Sequence, residues 1–477
     1  MKGIRHISFL SAAVLMLMVA ISSCKVGPNF QKPDNPQPAA FRFDSLEADT
    51  VVNLRWWEQF GNPELDALIM VGLKENKDVL KAASRVEQAR ITVGFTKVDI
   101  YPAIGITGAA NVGNLIGNQP LGGDAGIYYG GLSLSWEIDF WGKIRRSTEA
   151  ARASYVASEY GMRSVQISLI SEIAQSYFQL LDFKRRLRIS EQTVKVREEG
   201  LKIIQSRFDK GVVPEIDLNQ AQIQLAVAKV AVPTYKRNVA LTESALSILL
   251  GRSPQEIQSA IDLIDQPYPP AIPPGIPSTL LERRPDILQA ENILHAETAN
   301  VGVAEALRYP SISLTGLAGG AASHQLSEAV SGGFAWSAGA GLVSPLLNWG
   351  KNKKRAEIQR EVAQQALLNY EQQILIAFKE VDDALISVST YHKEVEAREA
   401  QVNAAVNARN LSQKRYDGGV TSYLEVLEND RSAFDAELQY SQARQKLLSS
   451  YILLYKALGG GWLSSEEEQN AAGGGNE

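Results

Sequence analysis

The sequence predicts a mixed α/β membrane protein, in which a few β-strands of a shared barrel join long coiled-coil helices and the layout occurs twice. Three observations predict it: a tandem repeat at one constant offset, strictly alternating segments of about ten residues, and apolar heptads sustained over six repeats.

The N-terminus sets the compartment. Lys2 and Arg5 precede an apolar run from Ile7 to Ile21, too short and too near the start for a spanning helix, so residues 1–23 read as a signal peptide. It ends in Ile21-Ser22-Ser23-Cys24. An aliphatic residue and two small ones before a cysteine resemble a bacterial lipobox, which makes Cys24 the diacylated first residue of the mature chain. The alternative is an ordinary secretory signal with a chance cysteine. Two or three acyl chains anchor stably where one does not. Lys25 stands where an inner-membrane retention signal would have aspartate, which favours the outer membrane. Cys24 is the only cysteine, so no disulfide can form within the chain.

The net charge is −5, and removing Lys2 and Arg5 with the signal takes it to −7, which gives nucleic acid no purchase. After Ile21 no run of eighteen apolar residues occurs. A chain that crosses a membrane without such a helix must do so as a closed β-barrel, because lipid cannot satisfy open strand edges.

The repeat runs at an offset of 208. Tyr101-Pro102 recurs as Tyr309-Pro310, Trp141-Gly142-Lys143 as Trp349-Gly350-Lys351, Arg207-Phe208-Asp209 as Arg415-Tyr416-Asp417, and Leu250-Gly251 as Leu458-Gly459. The expected division is an anchored N-terminal extension over 24–72, a first repeat over 73–264, a linker over 265–280, a second repeat over 281–460 and a disordered tail over 461–477. The linker is proline-rich from Pro267 to Pro277, hence extended and semi-rigid.

Each repeat offers two strands. Leu132 to Phe140 alternates strictly, with Leu132, Leu134, Trp136, Ile138 and Phe140 opposite Ser133, Ser135, Glu137 and Asp139. Phe334 to Leu342 repeats the theme, and weaker candidates run from Ile104 to Val112 and from Ile312 to Ala318. That is the length and pattern of an outer-membrane barrel strand, although a soluble hairpin with one wet face alternates too. The glycine-rich stretches from Gly113 to Tyr128 and from Gly319 to Gly333 read as outward loops. Four strands cannot close a barrel, since the smallest single-chain barrels have eight. Homo-oligomerisation follows: two copies give eight strands, three twelve, four sixteen.

The helical signal is stronger. Ile173, Leu180, Leu187, Val194, Leu201 and Phe208 fall seven apart, as do Leu367, Ile374, Val381, Val388, Val395 and Val402. Such a repeat specifies coiled-coil packing. A helix of about 65 residues extends roughly 100 Å, some three times the hydrocarbon thickness of a bilayer. Shorter helices return over Asp217 to Leu250, with Pro233 expected to kink it, and over Glu425 to Leu458. At the two turns Gly211-Val212 and Gly419-Val420 supply the left-handed position at which a long helix can reverse. Glu425 and Glu428, three apart, share a helix face. They are either functional or ordinary helix-start acids stabilised by the helix dipole.

The layout resembles the TolC-like outer-membrane efflux family, and within it the NodT-like lipoprotein branch of resistance–nodulation–division systems. The resemblance spans about residues 24 to 460. Carrying it are Cys24-Lys25-Val26-Gly27-Pro28-Asn29-Phe30, Trp56-Trp57 with Phe60 and Pro63, and the two turns. Most specific is Leu281-Glu282-Arg283-Arg284-Pro285-Asp286-Ile287 with Ala290-Glu291 and Tyr309-Pro310-Ser311-Ile312. The resemblance implies a trimer, with a twelve-strand β-barrel continuous with a twelve-helix α-barrel. It implies a periplasmic adaptor and an inner-membrane resistance–nodulation–division transporter as partners, with the adaptor meeting the tip turns at Gly211, Val212, Gly419 and Val420. It further implies that Glu425 and Glu428 line a periplasmic aperture, and that Asp217 and Tyr416 latch neighbouring helices shut. Thr421 replaces an arginine of the family's best-known member, which weakens that part of the latch.

No catalytic residue, cofactor site or metal site is expected. His295, His324 and His392 lack ligand spacing, and His-Glu-x-x-His, Gly-x-x-x-x-Gly-Lys and Gly-x-Ser-x-Gly are all absent. The expected function is a passive exit duct for drugs or other small molecules. Competing readings are the duct of a type I secretion or metal efflux system, and a lipid-anchored coiled-coil structural protein.

Overall fold

A computed structural model describes residues 25–34, 41–42, 55–113, 125–270, 281–322 and 333–460. Cys24, His324, the linker from residue 271 and the tail expected over 461–477 lie outside the described residues.

The elements follow the repeat. After a 3-10 turn at Trp56–Phe60 come α1 (Pro63–Glu75), α2 (Lys77–Val98), β1 (Ala103–Gly113), β2 (Ala125–Ile138), α3 (Lys143–Asp209) and α4 (Glu215–Leu249). Then come α5 (Pro285–Ala306), β3 (Ser311–Ala322), β4 (Phe334–Val343), α6 (Lys351–Asp417) and α7 (Tyr423–Ala457). Both long helices have 67 residues, and α4 and α7 have 35 each. The described chain is mostly helical and carries one four-stranded sheet. The return helices start two residues earlier than Asp217 and Glu425, at Glu215 and Tyr423. Pro233 does not break α4, which is assigned as one helix through it. Proline still removes the amide that Lys229's carbonyl would accept from.

The residues divide into two compact units, each drawing on both repeats. Of the described residues, the first unit holds those within 25–34, 85–159 and 289–371, the second those within 41–84, 160–288 and 372–460.

In the first unit the sheet is antiparallel in the order β1-β2-β3-β4. Its register aligns Ile106, Leu132, Ala318 and Trp336 in one row, and Ile138, Ile312 and Leu342 in another. The alternate rows carry small and polar residues, among them Ser135 with Thr315 and Gly339, and Glu137 with Ser313 and Gly341. One face is therefore apolar and lies open, with Ile106 88% and Trp336 73% exposed in the single chain. The other is polar, which is the alternation expected of a barrel strand.

The outward loops are shorter than expected. β2 begins at Ala125 and β3 runs to Ala322, so residues 125–128 and 319–322 belong to strands. The ladder needs only backbone groups, so it continues where side chains give no alternating signal. Glycine is even required there. A Cβ on Gly131 would sit 2.3 Å from the Ala318 carbonyl oxygen, and one on Gly319 2.2 Å from that of Gly130.

In the second unit a core gathers Trp56, Trp57 and Phe60 with Ile173, Phe178, Leu447 and Tyr455. Trp56 stacks on Tyr455 at 5.1 Å and Phe60 meets Phe178 at 5.2 Å. Each fully buried large apolar side chain contributes roughly 2–3 kcal/mol. The heptad positions Ile173, Leu180, Ile374, Val381 and Val395 are all buried. The start of the proline-rich linker packs here too. Gln266 is 1% exposed, donates to the Phe60 carbonyl at 2.6 Å and accepts from the Asn62 amide at 2.8 Å. Arg284, of the motif at 281–287, is buried between Asp286 and Glu380, both at 2.6 Å, and donates to the Ala457 carbonyl.

Candidate functional site

The two tip turns are built alike. Gly211 has φ +71° and Gly419 φ +72°, in the left-handed region that favours glycine. At the first turn the Gly211 amide donates to Phe208 and the Val212 amide to Arg207, both at 2.8 Å. At the second, Gly419 donates to Tyr416 at 3.0 Å and Val420 to Arg415 at 2.9 Å. Both are Schellman closures that satisfy the last carbonyls of α3 and α6. They leave Val212 and Val420 about seven-tenths exposed, at 68% and 71%. A Cβ on either glycine would meet nothing within 4 Å, so what restricts these positions is backbone conformation rather than space.

The four expected gate residues lie just beyond these turns. Glu425 is half-buried in the first turn of α7, and Glu428 is exposed one turn on. Neither carboxylate is bare. Arg415 reaches Glu425 across the turn at 3.2 Å, Thr421 donates its hydroxyl to the same carboxylate, and Arg431 pairs with Glu428 at 2.8 Å. These counter-ions were missed in the sequence. Arg431 stood at a readable spacing of three, whereas Arg415 is ten residues from Glu425 and meets it only because the chain reverses. Thr421 joins the cluster as a neutral donor.

Tyr416 lies under the Arg207 guanidinium, 4.9 Å from its ring centroid, and beside Tyr423 at 5.3 Å. Its hydroxyl is buried with no hydrogen-bond partner among the described residues. Asp217, half-buried at the start of α4, does not supply one; its charge is felt instead at Tyr423. Burial, followed by Tyr416, Asp430 and Asp217, pushes the Tyr423 hydroxyl up to about 12, so it stays protonated and able to donate. Behind the tyrosines Arg197 is 7% exposed, bonded to Asp430 at 2.8 Å and to the Gln224 carbonyl at 2.6 Å, and lies over Phe434. A buried charge requires such pairing, and this pairing fixes α3, α4 and α7 together.

Cys24 lies outside the described residues, but the segment after it is held tightly. Arg146, fully buried, donates to the carbonyls of Val26 and Gly27 and to the Asn29 side chain. Lys25 pairs with Glu149, and Lys32 with Glu291 at 3.0 Å. Phe30 stacks on His295 at 4.6 Å. Burial would raise the Glu149 carboxyl, but Lys25, Arg146 and His295 outweigh it and hold the group below the ordinary carboxylate range.

Comparison with known proteins agrees with this geometry. Residues 68–252 and 276–460 each match the family described as outer membrane efflux protein, so the two matches are themselves 208 apart. The probable efflux pump outer membrane protein TtgC of Pseudomonas putida is 32% identical over 467 residues, covering 95% of this chain and 96% of that one. The probable outer membrane lipoprotein SilC of Salmonella typhimurium is 30% identical, covering 96% and 99%. Among solved structures the outer-membrane channel OprN superposes with a TM-score of 0.85 at 30% identity, covering 92% of this chain and all of that one. Sheet, long helices and sequence agree that this chain belongs to the outer membrane efflux protein family, and that it is an outer-membrane exit duct of an efflux system.

Proposed function

We propose that three copies of this chain, each anchored through a lipidated Cys24, close a twelve-strand barrel and a twelve-helix tunnel. Through them an inner-membrane resistance–nodulation–division transporter, coupled by a periplasmic adaptor at the tip turns, discharges small molecules. The observation that carries this reading is the open sheet. Among the described residues β1 and β4 are unpaired edges, and one sheet face is exposed and apolar, so a single copy satisfies neither lipid nor its own backbone.

The repeat, read as a tandem duplication, specifies how copies join. Within the chain Trp141 stacks on Tyr309 at 4.5 Å and donates to the Pro310 carbonyl at 2.8 Å. The equivalent pair, Trp349 and Tyr101, is left apart, with Trp349 90% exposed and Tyr101 62%. In the proposed assembly they meet across the interface between copies.

The reading is tested by dye accumulation in cells lacking the chain and complemented with variants. Wild type should restore efflux. Gly419→Trp should assemble normally and fail to restore it, because Gly419 lies on the adaptor-facing turn. Normal efflux by Gly419→Trp would remove the turn from the proposal.

A further inference from the structure

The two repeats differ in charge at one matched place in the first unit. In the second repeat Glu305, at the end of α5, bonds Arg360 on α6 and also Arg308 at 2.7 Å. Moving back 208 residues turns Glu305 into Lys97 and Arg360 into Arg152. The framework is the same, but the ion pair has become two cations. Among the described residues neither Lys97 nor Arg152 has an ion pair or a side-chain hydrogen bond.

Both line a cavity of about 680 Å³, within the range of ligand pockets. Lys25 and Arg145 also border it, held by Glu149 and Asp139 respectively. Ile100, Ile144 and Val156 supply an apolar wall. The cavity lies at the foot of the sheet. The Ile100 carbonyl accepts from the Trp136 indole of β2 at 2.9 Å, and Tyr101, also on the wall, stands two residues before β1. In an outer-membrane barrel, aromatic residues at a strand's end mark the headgroup level.

From this juxtaposition we infer that the cavity binds an anionic glycerophospholipid of the inner leaflet, with its phosphate between Lys97 and Arg152 and its glycerol and upper acyl carbons against Ile100, Ile144 and Val156. The inference rests on the outer-membrane location and not on the adaptor or the gate. Lys97 and Arg152 are exposed in the single chain, and on a framework that elsewhere forms a salt bridge they offer an anion two cationic donors. Basic residues at a membrane surface each attract an acidic headgroup. The apolar wall beside them distinguishes a lipid from a free anion. The diacylglyceryl group on Cys24 carries no phosphate and cannot neutralise the pair.

The test uses the full-length lipoprotein in mixed micelles of phosphatidylglycerol and phosphatidylcholine, with native mass spectrometry counting retained phospholipid. Wild type should keep about one phosphatidylglycerol per chain. Lys97→Gln with Arg152→Gln should lower that preference by about thirtyfold. Lys97→Glu, which recreates the Glu305–Arg360 pattern, should lose the preference while keeping its assembly and thermal stability. Excess inorganic phosphate should not displace the lipid. An equal preference in wild type and both variants overturns the proposal, and displacement by inorganic phosphate overturns the lipid assignment in favour of a small-anion site.

Discussion

At the residue scale the proposed gate is a set of charges whose partners decide their effect. Glu425 and Glu428 share a face, yet Arg415 and Arg431 neutralise them in part within the chain. The pair should therefore bind multivalent cations less tightly than bare acids would. In planar bilayers Glu425→Ala with Glu428→Ala should weaken block by a trivalent cation added from the periplasmic side, and Arg415→Ala should strengthen it. Unchanged block in both would make these ordinary solvated helix-start groups. Tyr416 tells a related story, because its buried hydroxyl lacks a partner among the described residues. A buried unsatisfied hydroxyl costs about 1–3 kcal/mol, and in the proposed assembly Asp217 of a neighbouring copy accepts from it and removes that cost. Asp217→Ala with Tyr416→Phe should then raise single-channel conductance, and an unchanged value would place the latch elsewhere. The strap over residues 25–32 carries a pH dependence of known sign. The Glu149 carboxyl is lower in the fold than in the unfolded chain, so its contribution is fully present above the ordinary carboxylate range and is lost as pH falls through its folded value. Amide exchange over residues 25–32 should accelerate on acidification below about pH 4.5, and Glu149→Gln should remove that dependence. These ion pairs were the least legible part of the sequence. Arg146 with Asn29, and Arg415 with Glu425, are brought together by tertiary packing or chain reversal rather than by spacing.

At the element scale periodicity did most of the reading. Six apolar residues at sevens identify α3, and six more identify α6, because a long helix repeats its geometry often enough to override single residues. Strand cores were legible for the same reason, from Leu132 to Ile138 against Ser133 to Glu137. Strand ends were not. Gly130, Gly131, Gly319 and Gly320 have no side chain to alternate, yet they pair in the ladder, and Gly131 and Gly319 allow two backbones to approach. Gly131→Val should accordingly prevent sheet formation and membrane insertion, since its Cβ meets backbone rather than a movable side chain. Heat-modifiable mobility on gels reads this, and a normally inserted Gly131→Val would show that the approach is looser. Gly419 contrasts with it, because open space surrounds it and only its positive φ resists a side chain. Gly419→Ala should lower stability by about 1–2 kcal/mol and leave insertion intact.

At the scale of the whole molecule, the repeat makes one chain a partial answer to its own edges. The registers of β1 with β2 and of β3 with β4 are the same ladder displaced by 208, Ala103 with Ser135 becoming Ser311 with Val343. Carrying the β2–β3 register across the interface by the same rule pairs β4 of one copy with β1 of the next, so that Ala340 faces Ala110. Facing residues in an antiparallel ladder lie about 4.5–5.5 Å apart between Cα atoms, within reach of a disulfide. Cys24 is the only native cysteine, so Cys24→Ala supplies a clean background if the strands rather than the anchor carry insertion. Ala110→Cys with Ala340→Cys in that background, oxidised in membranes and run on a denaturing gel, tests the assembly most directly. The account predicts a covalent ladder ending at the trimer, and no cross-link when Ala338→Cys replaces Ala340→Cys. A ladder that stops at the dimer or passes beyond the trimer, or cross-linking by the displaced pair alone, would contradict it.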